Sequence, residues 1–131
     1  MQRNGRPLAQ DPQFAARMAK VEIDLENMKT TNLRVIAAVA HGSVPGAESS
    51  MLKIRGTEIR QEILSLIRRA MGPYALPFIE AAQYEGYADA PVGPKEAATA
   101  AANYFNYRKL SIFGGSNEIQ KNIISKMILG L

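Results

Sequence analysis

Phe14, Met18, Val21, Leu25, Met28, Val35 and Val39 recur at alternating steps of four and three, with Asn32 in the one polar slot. Such spacing puts every member on one stripe of an α-helix and destroys the two-residue alternation a strand needs. It predicts a single long amphipathic helix ending near Gly42. Asp11-Pro12 supplies its start, an N-cap acid followed by proline at the first helical position. Arg17, Lys20, Glu22, Asp24, Glu26 and Lys29 fall on the other faces, where Lys20 and Asp24 are spaced to pair. A chain committed to a helix of this length needs helical neighbours to bury its stripe.

The rest of the sequence offers them. Ser43-Val44-Pro45-Gly46 reads as a turn. A second long helix is expected from about Ala47 to Ala70, with Leu52, Ile59, Ile63, Leu66 and Ile67 along one side. Gly56 lies on that seam at a cost of about 1 kcal/mol in helix propensity, which suggests close approach of a neighbouring helix. Arg55, Arg60, Arg68 and Arg69 are expected mainly on the outer face. Met71-Gly72-Pro73 stops the helix. A short helix is expected over 76–83, then a loop from Tyr84 to Pro94 broken by Gly86, Pro91, Gly93 and Pro94. A helix over 95–111 follows, with Ala98, Ala101, Ala102 and Phe105 as a narrow packing face. The last helix spans about 117–129. No strand of convincing alternation and no tandem repeat appears. The expected fold is all-α, an antiparallel up-down bundle of three long helices and one or two shorter ones. Ile23, Leu33 and Ile36 on the first helix, and Ile54 and Leu64 on the second, lie off the main seams. They imply contacts beyond one neighbour.

Composition limits the chemistry. The 131 residues include no cysteine and a single histidine, His41, which rules out disulfides, thiolate chemistry and a histidine-rich metal cluster. His41 falls near a helix end, where it suits the dipole better than catalysis. The net charge is +4, but the basic residues form no dense tract and are not interleaved with aromatics. That argues against nucleic-acid binding. The apolar runs are too short and interrupted to span a membrane, and no signal-peptide pattern opens the chain.

The candidate site lies in Ile112-Phe113-Gly114-Gly115-Ser116-Asn117-Glu118-Ile119-Gln120. Two glycines before a helix start permit positive φ and close backbone approach. Ser116 or Asn117 can cap the helix, and Gln120 stands three residues after Asn117 as in a capping box. Free backbone N–H groups at such a helix start suit an anion such as a phosphate. A plain helix–helix connection has the same pattern.

The whole string, with the helix that ends Met127-Ile128-Leu129-Gly130-Leu131, resembles the C-terminal signature of the acyl-CoA dehydrogenase family, which typically reads Ile-Tyr-Glu-Gly-Thr-Asn-Glu-Ile-Gln-Arg. Gly5-Arg6-Pro7-Leu8 is similar to the family's Phe-Gly-Lys-Pro-Leu, with Asn4 in place of the phenylalanine. Met18 to Ile23 resembles its next bundle helix, and Ala70-Met71-Gly72 its His-Gly-Gly turn. Arg68 stands where the family has a flavin-holding glutamine, and Arg108 at the lysine of its Arg-Asp-Ala-Lys region. The resemblance is strong over 108–131 and loose elsewhere.

It implies that residues 1–131 form the C-terminal helical domain of a longer cytoplasmic FAD enzyme of fatty acid metabolism, preceded by an N-terminal helical and a middle β domain. The reaction would be α,β-dehydrogenation of acyl-CoA thioesters. The electron acceptor would be an electron-transfer flavoprotein, and the assembly a homodimer, homotetramer or heterotetramer. Gly72, Gly115, Ser116 and Glu118 would bind the cofactor; Phe113 and Gly114 would lie near the substrate. The same residues have structural readings: Gly72 as a helix C-cap, Ser116 as a helix cap, Phe113 as core. Many family members carry at the Gly114 position the glutamate that removes the α-proton, and glycine cannot act as a base. Three readings follow. The base comes from an earlier helix, the chain is a non-catalytic assembly subunit, or the glycines make room for a bulky acyl group.

Overall fold

The computed structural model describes residues 2–3, 5–89 and 92–130; Asn4, Pro91 and Leu131, named above, lie outside them. Its order is β1 (Gln2–Arg3), β2 (Arg6–Pro7), α1 (Pro12–Ala40), α2 (Glu48–Met71), α3 (Ala100–Asn106) and α4 (Asn117–Leu129), with short 3-10 turns between. The fold is all-α, as the periodicity predicts. The β elements amount to one antiparallel two-residue pairing, Gln2 with Pro7 and Arg3 with Arg6, turned at Gly5, whose φ is +74°.

α1 begins where the sequence says it should. The Phe14 N–H donates to Asp11 Oδ1 at 2.9 Å, which satisfies one of the donors a helix start leaves open. It ends at Ala40, with Gly42 at φ +88° taking the left-handed conformation that closes many helices.

The chain divides into two compact units. The first comprises residues 1–19 and 61–108. In it the start of α1 meets the end of α2 through Arg17, whose Nε donates to Glu62 Oε1 at 2.8 Å. Leu64, Leu66, Ala75, Ala97, Ala98, Ala100 and Ala101 are buried. So Leu64, expected as surplus apolar surface, is core. Phe105, expected on the packing face with the alanines, is exposed.

Two helical expectations in this unit fail. Over 76–83 only Glu80–Gln83 winds, as a 3-10 turn, and Ile79 is extended at φ −105°, ψ 98°. Leu76 itself is helical at φ −83°, ψ −41°, so the break falls after Pro77, which has no N–H to give, at the extended Ile79. Over 95–111 the helix is broken into a 3-10 turn at Lys95–Ala97, α3, and another 3-10 stretch at Tyr107–Ser111. Gln61 Nε2 sits 3.3 Å from the Tyr107 carbonyl and 3.2 Å from that of Arg108, while Arg108 donates back to the Gln61 carbonyl at 3.1 Å. These side-chain bonds to α2 hold carbonyls that a continuing helix would use, so α3 stops at Asn106.

Arg68 is not an outer-face residue. Its Nε is buried without a hydrogen-bond partner, and its guanidinium lies 4.7 Å from the Tyr104 ring centroid. Arg108 lies 4.5 Å from the same centroid. A ring face attracts guanidinium charge, and this offsets part of the desolvation.

The second unit comprises residues 20–60 and 109–131. Val21, Ala47, Ile54, Thr57 and Ile59 are buried in it. Ile54 therefore joins Leu64 as core rather than surplus. Asp24 accepts from Lys20 Nζ at 2.6 Å, the pair read from the sequence, and also from Arg55 of α2 at 2.7 Å. The hydrogen bond from Lys20, helped by the Arg55 charge, holds the Asp24 carboxyl below its ordinary range. A methyl group at Gly56 would meet only Met28 Sδ at 3.6 Å. That is ordinary contact, so helix approach does not require glycine there. Ile23, Leu33 and Ile36 are exposed, as expected of apolar residues off the seam.

Candidate functional site

The double-glycine elbow lies within the second unit and is built from both of its ends. The chain leaves the 3-10 stretch at Ser111, with the Ile112 N–H donating to the Lys109 carbonyl at 2.9 Å. Gly114 and Gly115 then follow at φ +69° and +80°. Two successive left-handed residues are a conformation only glycine adopts without strain. Ser116 returns to extended backbone at φ −60°, ψ 158° and caps α4: its Oγ accepts from the Ile119 N–H at 3.3 Å. Of the two cap candidates the structure selects Ser116.

Asn117 is used differently. Its Oδ1 accepts from Lys53 Nζ at 2.9 Å, which fastens the start of α4 to α2. Thr57, one turn along α2, donates to the Lys53 carbonyl at 2.9 Å, and its Oγ1 lies 3.4 Å from the Leu110 carbonyl. Gln120 closes no capping box. Its Nε2 reaches back to the Gly114 carbonyl at 3.2 Å.

Electrostatically the elbow is mixed. The Glu118 carboxyl is held below its usual range, first by its own backbone N–H, then by the Ser116 hydroxyl, with the charges of Lys121 and Lys53 adding to both. The carboxylate thus occupies part of the donor set at the α4 N-terminus, where negative charge is favoured. A ligand phosphate at those same amides would meet like charge; a ligand hydroxyl would find an acceptor.

The surroundings of a would-be side chain separate the two glycines, both of which are exposed. A Cβ at Gly114 would meet nothing within 4 Å, so the space beside it is open. A Cβ at Gly115 would lie 2.6 Å from Gln120 Nε2, a collision. Phe113 is exposed at 53%, which removes its reading as core.

Gly72 belongs to the other unit. It follows the end of α2 at φ +57°, the conformation of a helix C-cap, with open space where a Cβ would stand. It lines a groove of about 500 Å³ with Leu8, Phe14, Arg69, Met71 and Tyr74. The structure thus gathers Phe113, Gly114, Gly115, Ser116 and Glu118 into one elbow, and Gly72 stands outside that group.

Lys53 and Thr57 are parts of the elbow that the sequence reading passed over. Lys53 is 64 positions from the residue it holds, and no local pattern marks it. Gln120 carried a signal, its spacing from the cap, but that spacing pointed to a different bond.

A family model described as the acyl-CoA dehydrogenase C-terminal domain matches residues 1–129. The chain belongs to that family. Neither a curated protein nor a solved structure matches it. Members of the acyl-CoA dehydrogenase family are generally FAD-dependent oxidoreductases. Among the described residues no helix is long and apolar enough to cross a membrane, and no group of three acidic or histidine side chains could hold a metal ion.

Proposed function

We propose that the chain is the C-terminal helical domain of an FAD-dependent acyl-CoA dehydrogenase, and that the Gly114–Glu118 elbow meets the ribose and pyrophosphate of the flavin dinucleotide. The observation that carries this is the elbow itself: two glycines in left-handed conformation, open space beside Gly114, and a serine-capped helix start, in a chain of this family.

The residues present fit such a group. Gly115 gives a backbone N–H without a side chain to shield it. Lys53 and Lys121 lie close enough to act on Glu118, and the same positive charge favours a pyrophosphate nearby. Glu118, ionised and repelling phosphate, suits a ribose hydroxyl instead. Gly72 allows close backbone approach of a dinucleotide held by a second copy of the chain. When bound, FAD supplies the acceptor for the hydride lost from the acyl β-carbon. The α-proton needs a base, and Gly114 has none to offer, so we assign the base to a helix upstream of this chain. Phe113 and the space beside Gly114 would face the thioester. The electrons would pass on to an electron-transfer flavoprotein, and the working unit would be an oligomer in the cytoplasm.

The test uses the natural polypeptide that carries this chain. Purified, it should be yellow, with a flavin absorption spectrum, and should reduce a ferrocenium acceptor when given acyl-CoA. A colourless, flavin-free protein would defeat the proposal. A second reading rests on Gly114: where other members carry the base, this chain carries no side chain. A protein that assembles with a catalytic partner, binds flavin only in that complex and turns nothing over alone would favour an assembly subunit.

A further inference from the structure

The elbow contains a contact that a bare turn does not need. Gln120 Nε2 donates to the Gly114 carbonyl at 3.2 Å, across six positions and back over the start of α4. The same nitrogen lies 2.6 Å from where a Gly115 Cβ would stand. It therefore sits beside the Gly114 carbonyl and the Gly115 Cα. The Gly114–Gly115 peptide is planar and trans, so its C=O and N–H point in opposite directions. With the carbonyl tied to Gln120, the Gly115 N–H lies on the opposite side of the peptide bond and points away from that amide. Two adjacent glycines would otherwise let this peptide rotate freely, because neither has a side chain to restrict it.

We propose that Gln120 is a positioning residue: its amide latches the Gly114 carbonyl and thereby presents the Gly115 N–H to an anionic ligand oxygen, which, on the function proposed above, belongs to the flavin dinucleotide. The latch also explains why the two glycines differ. Gly114 is favoured by its φ of +69° alone, since the space beside it is open. Gly115 is favoured by its φ of +80°, and a side chain there would also push the Gln120 amide off its bond.

The test is hydrogen exchange in the natural polypeptide, read on the peptide spanning 112–120, with FAD affinity measured by flavin fluorescence. In Gln120→Ala the amides of Phe113 and Ile119, the hydrogen-bonded ones on either side of the elbow, should exchange about fivefold faster, the factor one ordinary neutral hydrogen bond is worth. Amides of α1 and α2 should keep their rates, which separates a lost latch from general destabilisation. FAD should bind about fivefold more weakly. Gln120→Lys, which keeps an N–H donor at comparable reach, should restore both readouts, whereas Gln120→Glu, with no donor, should not. Gly115→Ala should loosen the elbow by itself, and Gln120→Ala should add nothing on that background. Unchanged elbow exchange in Gln120→Ala overturns the latch whatever the flavin does. A loosened elbow with unchanged FAD affinity upholds the latch and overturns the reading that flavin meets this elbow.

Discussion

Replacing Gly56 with alanine should stabilise the protein. Glycine inside a helix costs about 0.8–1 kcal/mol relative to alanine, because the unfolded chain loses more freedom at glycine. Such a gain appears only where the added methyl fits. At Gly56 it would meet a single neighbour, Met28 Sδ, at 3.6 Å, and nothing has to move. The methyl also covers apolar surface in a half-buried position, so packing adds to the propensity gain. Gly56→Ala should therefore raise the unfolding free energy by about 1 kcal/mol. With an unfolding entropy of about 2.1 cal/mol/K per residue, that corresponds to a Tm about 4 °C higher. Urea denaturation followed by circular dichroism reads the first quantity, and scanning calorimetry the second. A variant less stable by about 0.5 kcal/mol or more would refute the reasoning. It would mean that α1 lies closer to α2 at this level than Met28 allows, and that the glycine is a packing requirement after all.

Gly93→Ala should do the opposite: its Cβ would fall 2.5 Å from the Tyr74 ring at a φ of +89°, so a loss of about 2 kcal/mol is expected in the same urea assay. Ser116→Ala should cost about 1 kcal/mol through the lost cap on α4, with Ser116→Thr close to wild type; hydrogen exchange at the Ile119 amide should report it locally. Asp24 stays ionised to lower pH in the folded state than in the unfolded chain, so the unfolded state binds more protons there as the solution is acidified. Its contribution is complete above about pH 5 and is lost as pH falls through the folded-state value, and Asp24→Asn should flatten that part of a stability–pH curve.

The long helices were legible because their signals are local and redundant. The stripe from Phe14 to Val39, the Asp11-Pro12 start and the glycine stop all agree, and α1 and α2 run within a residue or two of the expected ends. The Lys20–Asp24 pair was legible for the same reason. What failed was set by contacts between distant residues. Nothing near Tyr107 says that Gln61 will take its carbonyl, so one helix over 95–111 looked continuous. Ile54 and Leu64 lie off the α2 seam, yet each is buried, because a helix in a packed unit uses more than one stripe. At the elbow the glycines and the cap were legible. Lys53 was not, since the residue that fastens α4 comes from another helix.

The central claim is that this elbow receives the flavin dinucleotide, and an experimental structure of the natural polypeptide with FAD bound tests it most directly. The account predicts a flavin ribose or phosphate oxygen about 3 Å from the Ser116 Oγ or the Gly115 N–H. A flavin held elsewhere, with the elbow facing only solvent or protein, would contradict it.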